Sequence, residues 1–187
     1  GKLSEMTLDE LRALRLVDSD GNALDESLPL LGEVLELIDG RAHLLLEIKR
    51  YRDTADKLQQ AVADELRRHN ALEWTTVQSF SDLTLSQMHA LMPELRLEKL
   101  AFCKVLGLPL LFDGGFRHFT PERYSHVESI NFFYGGISEK FVEELHHAGK
   151  RVRIWTVNEP ERRPNLSVDG IITDYPDLLM SHLGTDK

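Results

Sequence analysis

Apolar runs of strand length alternate with amphipathic segments of helix length along most of the chain. The apolar runs predict strands near residues 43–48, 74–79, 95–100, 126–131, 151–157 and 169–173. Apolar positions at helical spacing predict the helices between them, with stripes at Leu58, Val62 and Leu66, at Leu85, Met88 and Leu91, and at Phe141, Val142 and Leu145. This alternation predicts a parallel α/β sheet joined by helical crossovers.

Two further helices are predicted before the first strand. The sequence Thr7-Leu8-Asp9-Glu10 has the spacing of a capping box, and Pro29 precedes a second apolar stripe that ends near Asp39-Gly40. No linker or low-complexity segment divides the chain, so we expect one domain over residues 1–187. Periodicity alone is compatible with both a doubly wound sheet and most of a (β/α)8 barrel. The sequence contains no Gly-x-Gly-x-x-Gly loop, which argues against a nucleotide-binding doubly wound sheet.

Charge, hydropathy and cysteine content limit the partners and the cellular location that the sequence favours. The 187 residues include 22 Lys and Arg against 31 Asp and Glu, a net charge of −9 that argues against a nucleic-acid partner. No apolar run approaches the roughly 18 residues of a membrane span, so we expect no membrane-spanning segment in this sequence. Cys103 is the only cysteine, which excludes an intramolecular disulfide and favours a cytoplasmic location.

Charged residues interrupt the end of the first predicted strand. In Leu46-Glu47-Ile48-Lys49, period-two geometry places Glu47 and Lys49 on the same face. The carboxyl ends of parallel strands face the ligand site, where a carboxylate suits Mg²⁺ or Ca²⁺ and an ammonium suits a phosphate oxygen. A plain ion pair at the strand end, or a solvated pair, is the competing interpretation.

Other strand ends carry unusual side chains. Gln78 and Phe80 stand at the end of the second apolar run, where the amide of Gln78 suits a hydrogen bond to a ligand. Trp155 and Asn158 stand at the end of the fifth apolar run, either as a ligand wall with a polar neighbour or as a core Trp and a turn Asn. Ser81 or Asp82, and later Asp174, are expected as helix caps.

Four segments taken in order resemble the glycerophosphodiester phosphodiesterase family. They are Leu-Glu-Ile-Lys at 46–49, Gln-Ser-Phe at 78–80, Trp-Thr-Val-Asn at 155–158 and Asp-Gly-Ile-Ile-Thr-Asp-Tyr-Pro at 169–176. The resemblance implies a (β/α)8 barrel that hydrolyses a small phosphodiester substrate to glycerol 3-phosphate and an alcohol with a divalent cation, Mg²⁺ or Ca²⁺. It implies that Glu47 is a metal ligand and that the substrate contacts are Lys49, Gln78, Phe80, Trp155 and Asn158.

The family's first strands also bring a His-Arg pair, a Glu-x-Asp metal pair and a His-Asp pair, and none of these occurs in this sequence. We therefore expect a barrel without its first strands and a missing N-terminal polypeptide, and we expect the 187 residues alone to be inactive. Exposed sheet edges would favour a homo-oligomer. The alternatives are a non-catalytic binding or assembly module and an aldolase that uses Lys49 as a Schiff base.

Overall fold

The computed structural model describes residues 5–49, 57–102 and 121–185. Six parallel strands form one sheet in the order β1-β2-β3-β4-β5-β6. The strands are β1 Leu44–Glu47, β2 Thr75–Ser79, β3 Arg96–Ala101, β4 Ser129–Phe133, β5 Arg151–Trp155 and β6 Gly170–Ile171. The predicted strands are confirmed, with β4 displaced furthest. Val127 lies before it in a turn, where its N–H donates to the Tyr124 carbonyl at 2.9 Å.

Helices connect the strands and flank the sheet. They are α1 Leu8–Ala13, α2 Leu31–Ile38, α3 Lys57–Arg68, α4 Asp82–Leu91, α5 Glu139–His147 and α6 Pro176–Thr185, with short 3₁₀ turns at Pro121–Tyr124, Tyr134–Gly136 and Pro160–Arg162. A doubly wound sheet reverses its strand order at a switch point, whereas a (β/α)8 barrel keeps sequence order. The observed order decides between them, and the described strands form an arc of a (β/α)8 barrel as predicted.

Local signals set two helix ends, of which the first was predicted above. The Thr7 N–H donates to Glu10 Oε2 at 2.7 Å, and the Glu10 N–H donates to Thr7 Oγ1 at 3.3 Å, which completes the predicted capping box. Gly149 ends α5 at φ +73°, and the Lys150 N–H reaches back to the Leu145 carbonyl at 2.9 Å. This left-handed turn suits glycine because a side chain would be strained there.

The outer face of the sheet packs against the helices. Its alternating strand residues are fully buried and apolar, and they meet apolar residues of α3, α4 and α5; the cluster includes Val77, Leu97, Ile130, Val152, Leu66, Leu85, Met88 and Leu145. Each such side chain contributes roughly 1.5–3 kcal/mol when it leaves water. This packing holds the strands in register and fixes where their carboxyl ends lie.

The inner face of the sheet is polar. Gln78 on β2 and Asn131 on β4 form a hydrogen bond of 3.0 Å between side chains, although β3 lies between their strands. Flat neighbouring strands are about 4.8 Å apart, so two short side chains separated by a whole strand meet only on a concave face. The sheet is therefore strongly curved toward its polar side.

The strands β1 and β6 form the two edges of the described sheet, each paired on one side. All of β1 is partly exposed, and large apolar residues of α2 and α6 face solvent, with Leu37 71% and Met180 68% exposed. None of the helices in the described ranges has both the length and the apolar character to cross a bilayer.

Candidate functional site

A cavity of about 880 Å³ opens at the carboxyl ends of the strands. It is lined by residues at or just after the ends of β1, β2, β3, β5 and β6, from the start of α4 and from the 3₁₀ turn Pro121–Tyr124: Glu47, Ile48, Lys49, Gln78, Ser79, Phe80, Ser81, Asp82, Leu83, Leu100, Arg123, Trp155, Thr156 and Ile172. Five of the six predicted site residues are in this set. They meet because parallel strands present their carboxyl ends at one edge of the sheet.

Glu47 and Lys49 line the cavity together. Glu47 is half-buried and pairs in register with Gln78 on β2, whereas Lys49 is exposed beyond the end of β1. Among the described residues, neither side chain forms an ion pair or a hydrogen bond. The strand-end ion pair that the sequence left open is therefore not formed, and no described residue neutralises either charge.

Four aromatic rings pack together in a cluster that we call the aromatic wall: Phe80, Phe102, Phe133 and Trp155. Phe80 and Trp155 line the cavity itself, and Phe102 and Phe133 pack against them. The Trp155 ring centroid lies 5.6 Å from that of Phe80, 4.9 Å from that of Phe102 and 5.7 Å from that of Phe133. These edge-to-face contacts stabilise the cluster by about 0.5–1.5 kcal/mol per pair beyond apolar burial. Sequence reasoning missed Phe102 and Phe133, each of which follows or ends an apolar strand.

Asp82 also lines the cavity, but its carboxylate forms ion pairs with two basic side chains. Its Oδ1 lies 3.0 Å from Lys99 Nζ, and its Oδ2 lies 2.9 Å from a guanidinium nitrogen of Arg123. Lys99 is fully buried and also donates to the Phe80 carbonyl. Asp82 thus anchors the turn after β2, and the adjacent Ser81 is the N-cap of α4, accepting from the Thr84 N–H at 3.2 Å.

Asn158 is the predicted site residue that does not line the cavity. Its Nδ2 donates to Asp174 Oδ2 at 2.8 Å, and its Oδ1 accepts from the Asp174 N–H at 2.9 Å and from Thr173 Oγ1 at 3.3 Å. These bonds use both ends of the amide to join the segments that follow β5 and β6. Asp174, expected as a helix cap, accepts from Asn158 in this arrangement.

The model of the Glycerophosphoryl diester phosphodiesterase family matches residues 1–178. The chain belongs to this family. Curated members that it resembles include a glycerophosphodiester phosphodiesterase of Bacillus altitudinis, 27% identical over 95% of this chain and 71% of that protein. Another, from Caldanaerobacter subterraneus subsp. tengcongensis, is 28% identical over 97% of this chain and 72% of that protein.

Solved structures of phosphodiesterases share the fold. A candidate glycerophosphoryl diester phosphodiesterase of Silicibacter pomeroyi superposes with a TM-score of 0.85 at 28% identity, over 100% of this chain and 70% of that protein. An Oleispira antarctica phosphodiesterase in complex with its product sn-glycerol-3-phosphate has a TM-score of 0.78 at 21% identity, over 98% of this chain and 73% of that protein. The second likeness bears on the fold alone.

The resemblance to phosphodiesterases implies a divalent cation at Glu47, and the described residues allow a test of that fit. Within residues 5–49, 57–102 and 121–185, no three His, Cys, Asp or Glu side chains come together as a metal site. Asp82, the second carboxylate of the cavity lining, is held by Lys99 and Arg123. Mg²⁺ and Ca²⁺ take six or more oxygen ligands, so Glu47 is one donor and the described set does not by itself fit a resident cation.

Proposed function

We propose that the cavity binds the substrate and product of a glycerophosphodiester phosphodiesterase, which hydrolyses a glycerophosphodiester to glycerol 3-phosphate and an alcohol. Family membership and the names of the curated relatives support the reaction. The observation that carries the proposal is a pair of charges, Glu47 and Lys49, which have no partner among the described residues and lie in the cavity lining with Phe80 and Trp155 at the carboxyl ends of the strands.

Each lining residue then has a task that its chemistry allows. The Lys49 ammonium offers a point charge to a phosphate oxygen. Phe80 and Trp155 offer apolar surface to the carbon atoms of glycerol or of the alcohol, and their burial of that surface keeps water from one side of the ligand. Gln78 adds a neutral polar group between the charged and the aromatic sides.

We further propose that Glu47 supplies one carboxylate oxygen to a divalent cation, Mg²⁺ or Ca²⁺. Such a cation, when bound, would neutralise charge on the phosphate. The described residues that line the cavity include no histidine, so we assign none of them the transfer of a proton.

Titration with glycerol 3-phosphate tests the proposal directly. We expect Lys49→Met to weaken binding about 10-fold or more, because a charge-assisted hydrogen bond contributes about 1.5–3 kcal/mol. Lys140→Met is the matched control, since Lys140 is an exposed lysine on α5, away from the cavity. Calorimetry or NMR would follow both variants. Equal affinity for the wild type and Lys49→Met would remove Lys49 from the site, and no binding by the wild type would refute the proposed function.

The open edges of the sheet favour a second candidate, a non-catalytic assembly module that pairs its edge strands with another chain. β1 and β6 present main-chain groups that pair on one side only within the described sheet. This candidate needs no ligand in the cavity, so it predicts association without binding of glycerol 3-phosphate. The titration above therefore separates the two.

A further inference from the structure

We propose that Asn131 is a positioning residue, oriented by Glu98 and Arg153, that turns the Gln78 side chain so that its Nε2–H groups face the cavity as donors. Asn131 and Glu98 are buried on β4 and β3, and Arg153 lies on β5. None of the three lines the cavity. The identity of the acceptor as a phosphate oxygen rests on the proposed function, whereas the orientation of the amide does not.

The ion pair between Arg153 and Glu98 sets the direction of the network. The Arg153 guanidinium contacts Glu98 Oε1 across the inner face of the sheet. A guanidinium only donates hydrogen bonds, and a carboxylate facing it only accepts them. The absence of a side chain on Gly170 of β6 accommodates this arrangement, because a Cβ there would lie 3.1 Å from the Arg153 side chain.

Glu98 in turn fixes the amide of Asn131. Its second oxygen, Oε2, lies 2.8 Å from Asn131 Nδ2. The nitrogen and oxygen of an amide are told apart by their partners, and a carboxylate requires the nitrogen. The opposite end is compatible with this orientation, since Asn131 Oδ1 lies 2.8 Å from the Ser129 hydroxyl; that hydroxyl has one hydrogen and also lies 3.1 Å from the Arg151 carbonyl, so the carboxylate of Glu98 decides the orientation.

The second hydrogen of Asn131 Nδ2 then orients Gln78. Gln78 Oε1 lies 3.0 Å from that nitrogen, which has two hydrogens and meets two acceptors, Gln78 and Glu98. Because Oε1 faces Asn131, the Nε2 of the same Gln78 amide group lies on the side away from Asn131. This nitrogen has no protein partner among the described residues.

The orientation of the Gln78 amide decides whether it offers a hydrogen-bond donor or an acceptor to a ligand. Gln78 is 7% exposed and lines the cavity beside Glu47, its partner in the strand register. A hydrogen bond from an N–H group to a charged oxygen contributes about 1.5–3 kcal/mol, so an anionic ligand oxygen that meets Nε2 gains that interaction. Gln78 therefore recognises an anionic oxygen and does not offer its carbonyl to a cation.

NMR of the free 187-residue chain tests the orientation before any ligand is added. The Gln78 side-chain resonances are those lost in Gln78→Met, and the Asn131 resonances are those lost in Asn131→Ala. We expect the Asn131 Nδ2 protons to exchange with water at least about 10-fold more slowly than the Gln78 Nε2 protons, because of the two only the Asn131 protons are hydrogen-bonded to described residues. Protected Gln78 protons and rapidly exchanging Asn131 protons would overturn the proposal. If Asn131→Ala does not fold, sequential assignment of the wild type replaces it.

Titration with glycerol 3-phosphate tests the role in binding. We expect the Gln78 Nε2 resonances to shift and the affinity to fall about 10-fold in Gln78→Met, while Gln60→Met on the exposed face of α3 binds as the wild type does. Gln78→Glu should bind more weakly still, since it sets a carboxylate against the phosphate. Wild-type affinity in Gln78→Glu would overturn the donor role. Absence of binding by the wild type would refute the proposed function, and the exchange rates would still decide the orientation.

Discussion

The indole Nε1–H of Trp155 donates to the main-chain carbonyl of Asn131 at 2.9 Å. This bond ties the aromatic wall to β4, the same strand whose Asn131 side chain orients Gln78. One buried residue thus holds both the apolar and the polar side of the cavity, the first through its backbone and the second through its side chain. The backbone bond survives any substitution of the Asn131 side chain, so the two roles can be measured separately.

Replacement of Trp155 separates its hydrogen bond from its ring contacts. We expect Trp155→Phe to lower the free energy of unfolding by about 1 kcal/mol, the value of one hydrogen bond. Trp155→Ala should lower it by about 3 kcal/mol, because the contacts with Phe80, Phe102 and Phe133 are lost as well. Urea unfolding followed by circular dichroism measures both. An equal loss in the two variants would mean that the ring contacts contribute little.

Asn158 is expected to stabilise the protein and not to bind the ligand. Asn158→Ala removes three hydrogen bonds that join the segment after β5 to Thr173 and Asp174. We expect the free energy of unfolding to fall by about 1–3 kcal/mol, with unchanged affinity for glycerol 3-phosphate. Lys49→Met should show the reverse pattern. A loss of affinity in Asn158→Ala with unchanged stability would restore Asn158 to the ligand site.

Much of the cavity could be predicted from the sequence because many of its residues stand at the carboxyl ends of parallel strands. Glu47, Gln78 and Trp155 stand at the ends of apolar runs, and parallel topology brings such ends to one edge of the sheet. Periodicity left the barrel and the doubly wound sheet both open. Strand order decided between them, and strand order is a tertiary property that no local pattern contains.

The features of the site that the sequence did not predict depend on the curvature of the sheet and on which residues each side chain contacts in the fold. The bond between Asn131 and Gln78 spans a whole strand, and it exists only because the sheet is concave. Phe133 ends an apolar strand, where an aromatic residue is ordinary core composition, so nothing in the pattern marks it as part of a wall. Asn158 was placed in the pocket by resemblance, but its amide bonds Asp174 instead. Cys103 lies outside the described residues.

Acid should destabilise the protein through Asp169, among other groups. Burial opposes its ionisation, but the Val152 N–H and His146 donate to its carboxylate, and the net effect holds the pKa of Asp169 below its ordinary value. A lowered folded-state pKa stabilises the fold fully above the ordinary value, and this stabilisation is lost as pH falls through the folded-state value. The wild type should therefore lose stability more steeply than Asp169→Asn below about pH 4.

Urea unfolding at several pH values between about 2 and 7 measures this difference. Glu143→Gln is the control, because it makes the same charge change on the exposed face of α5. Parallel curves for the wild type and Asp169→Asn across the acid range would show that the bonds from Val152 and His146 do not favour the carboxylate.

We expect the chain to associate in solution. The edge strands β1 and β6 each pair on one side within the described sheet, and Leu37 of α2 and Met180 of α6 expose large apolar side chains. Exposed edges and apolar patches favour pairing with another chain. Light scattering after size-exclusion chromatography measures the mass. A stable monomer of 21.4 kDa over a range of concentrations would contradict the expectation and would also count against the assembly module.

Binding of a divalent cation should be weak and should depend on Glu47. A carboxylate is one of the six or more oxygen ligands that Mg²⁺ or Ca²⁺ takes, and the described residues bring no second free carboxylate to the cavity. We expect a dissociation constant of about 1 mM or weaker for either ion, by analogy with sparsely liganded sites, and its loss in Glu47→Gln. Calorimetry measures this without any assay of activity, and Glu143→Gln again controls for net charge.

The same reasoning predicts that the 187-residue chain alone does not turn over glycerophosphodiesters. Hydrolysis needs groups that transfer protons to and from the reacting oxygens, and the described lining of the cavity includes no histidine and one unpaired carboxylate, Glu47. Incubation with a glycerophosphodiester and either cation, with detection of free glycerol 3-phosphate, should give the rate of the buffer. A rate that EDTA abolishes and Glu47→Gln lowers would contradict this. It would also place the missing acid and base within residues 1–187, outside the part of the chain that the structure describes.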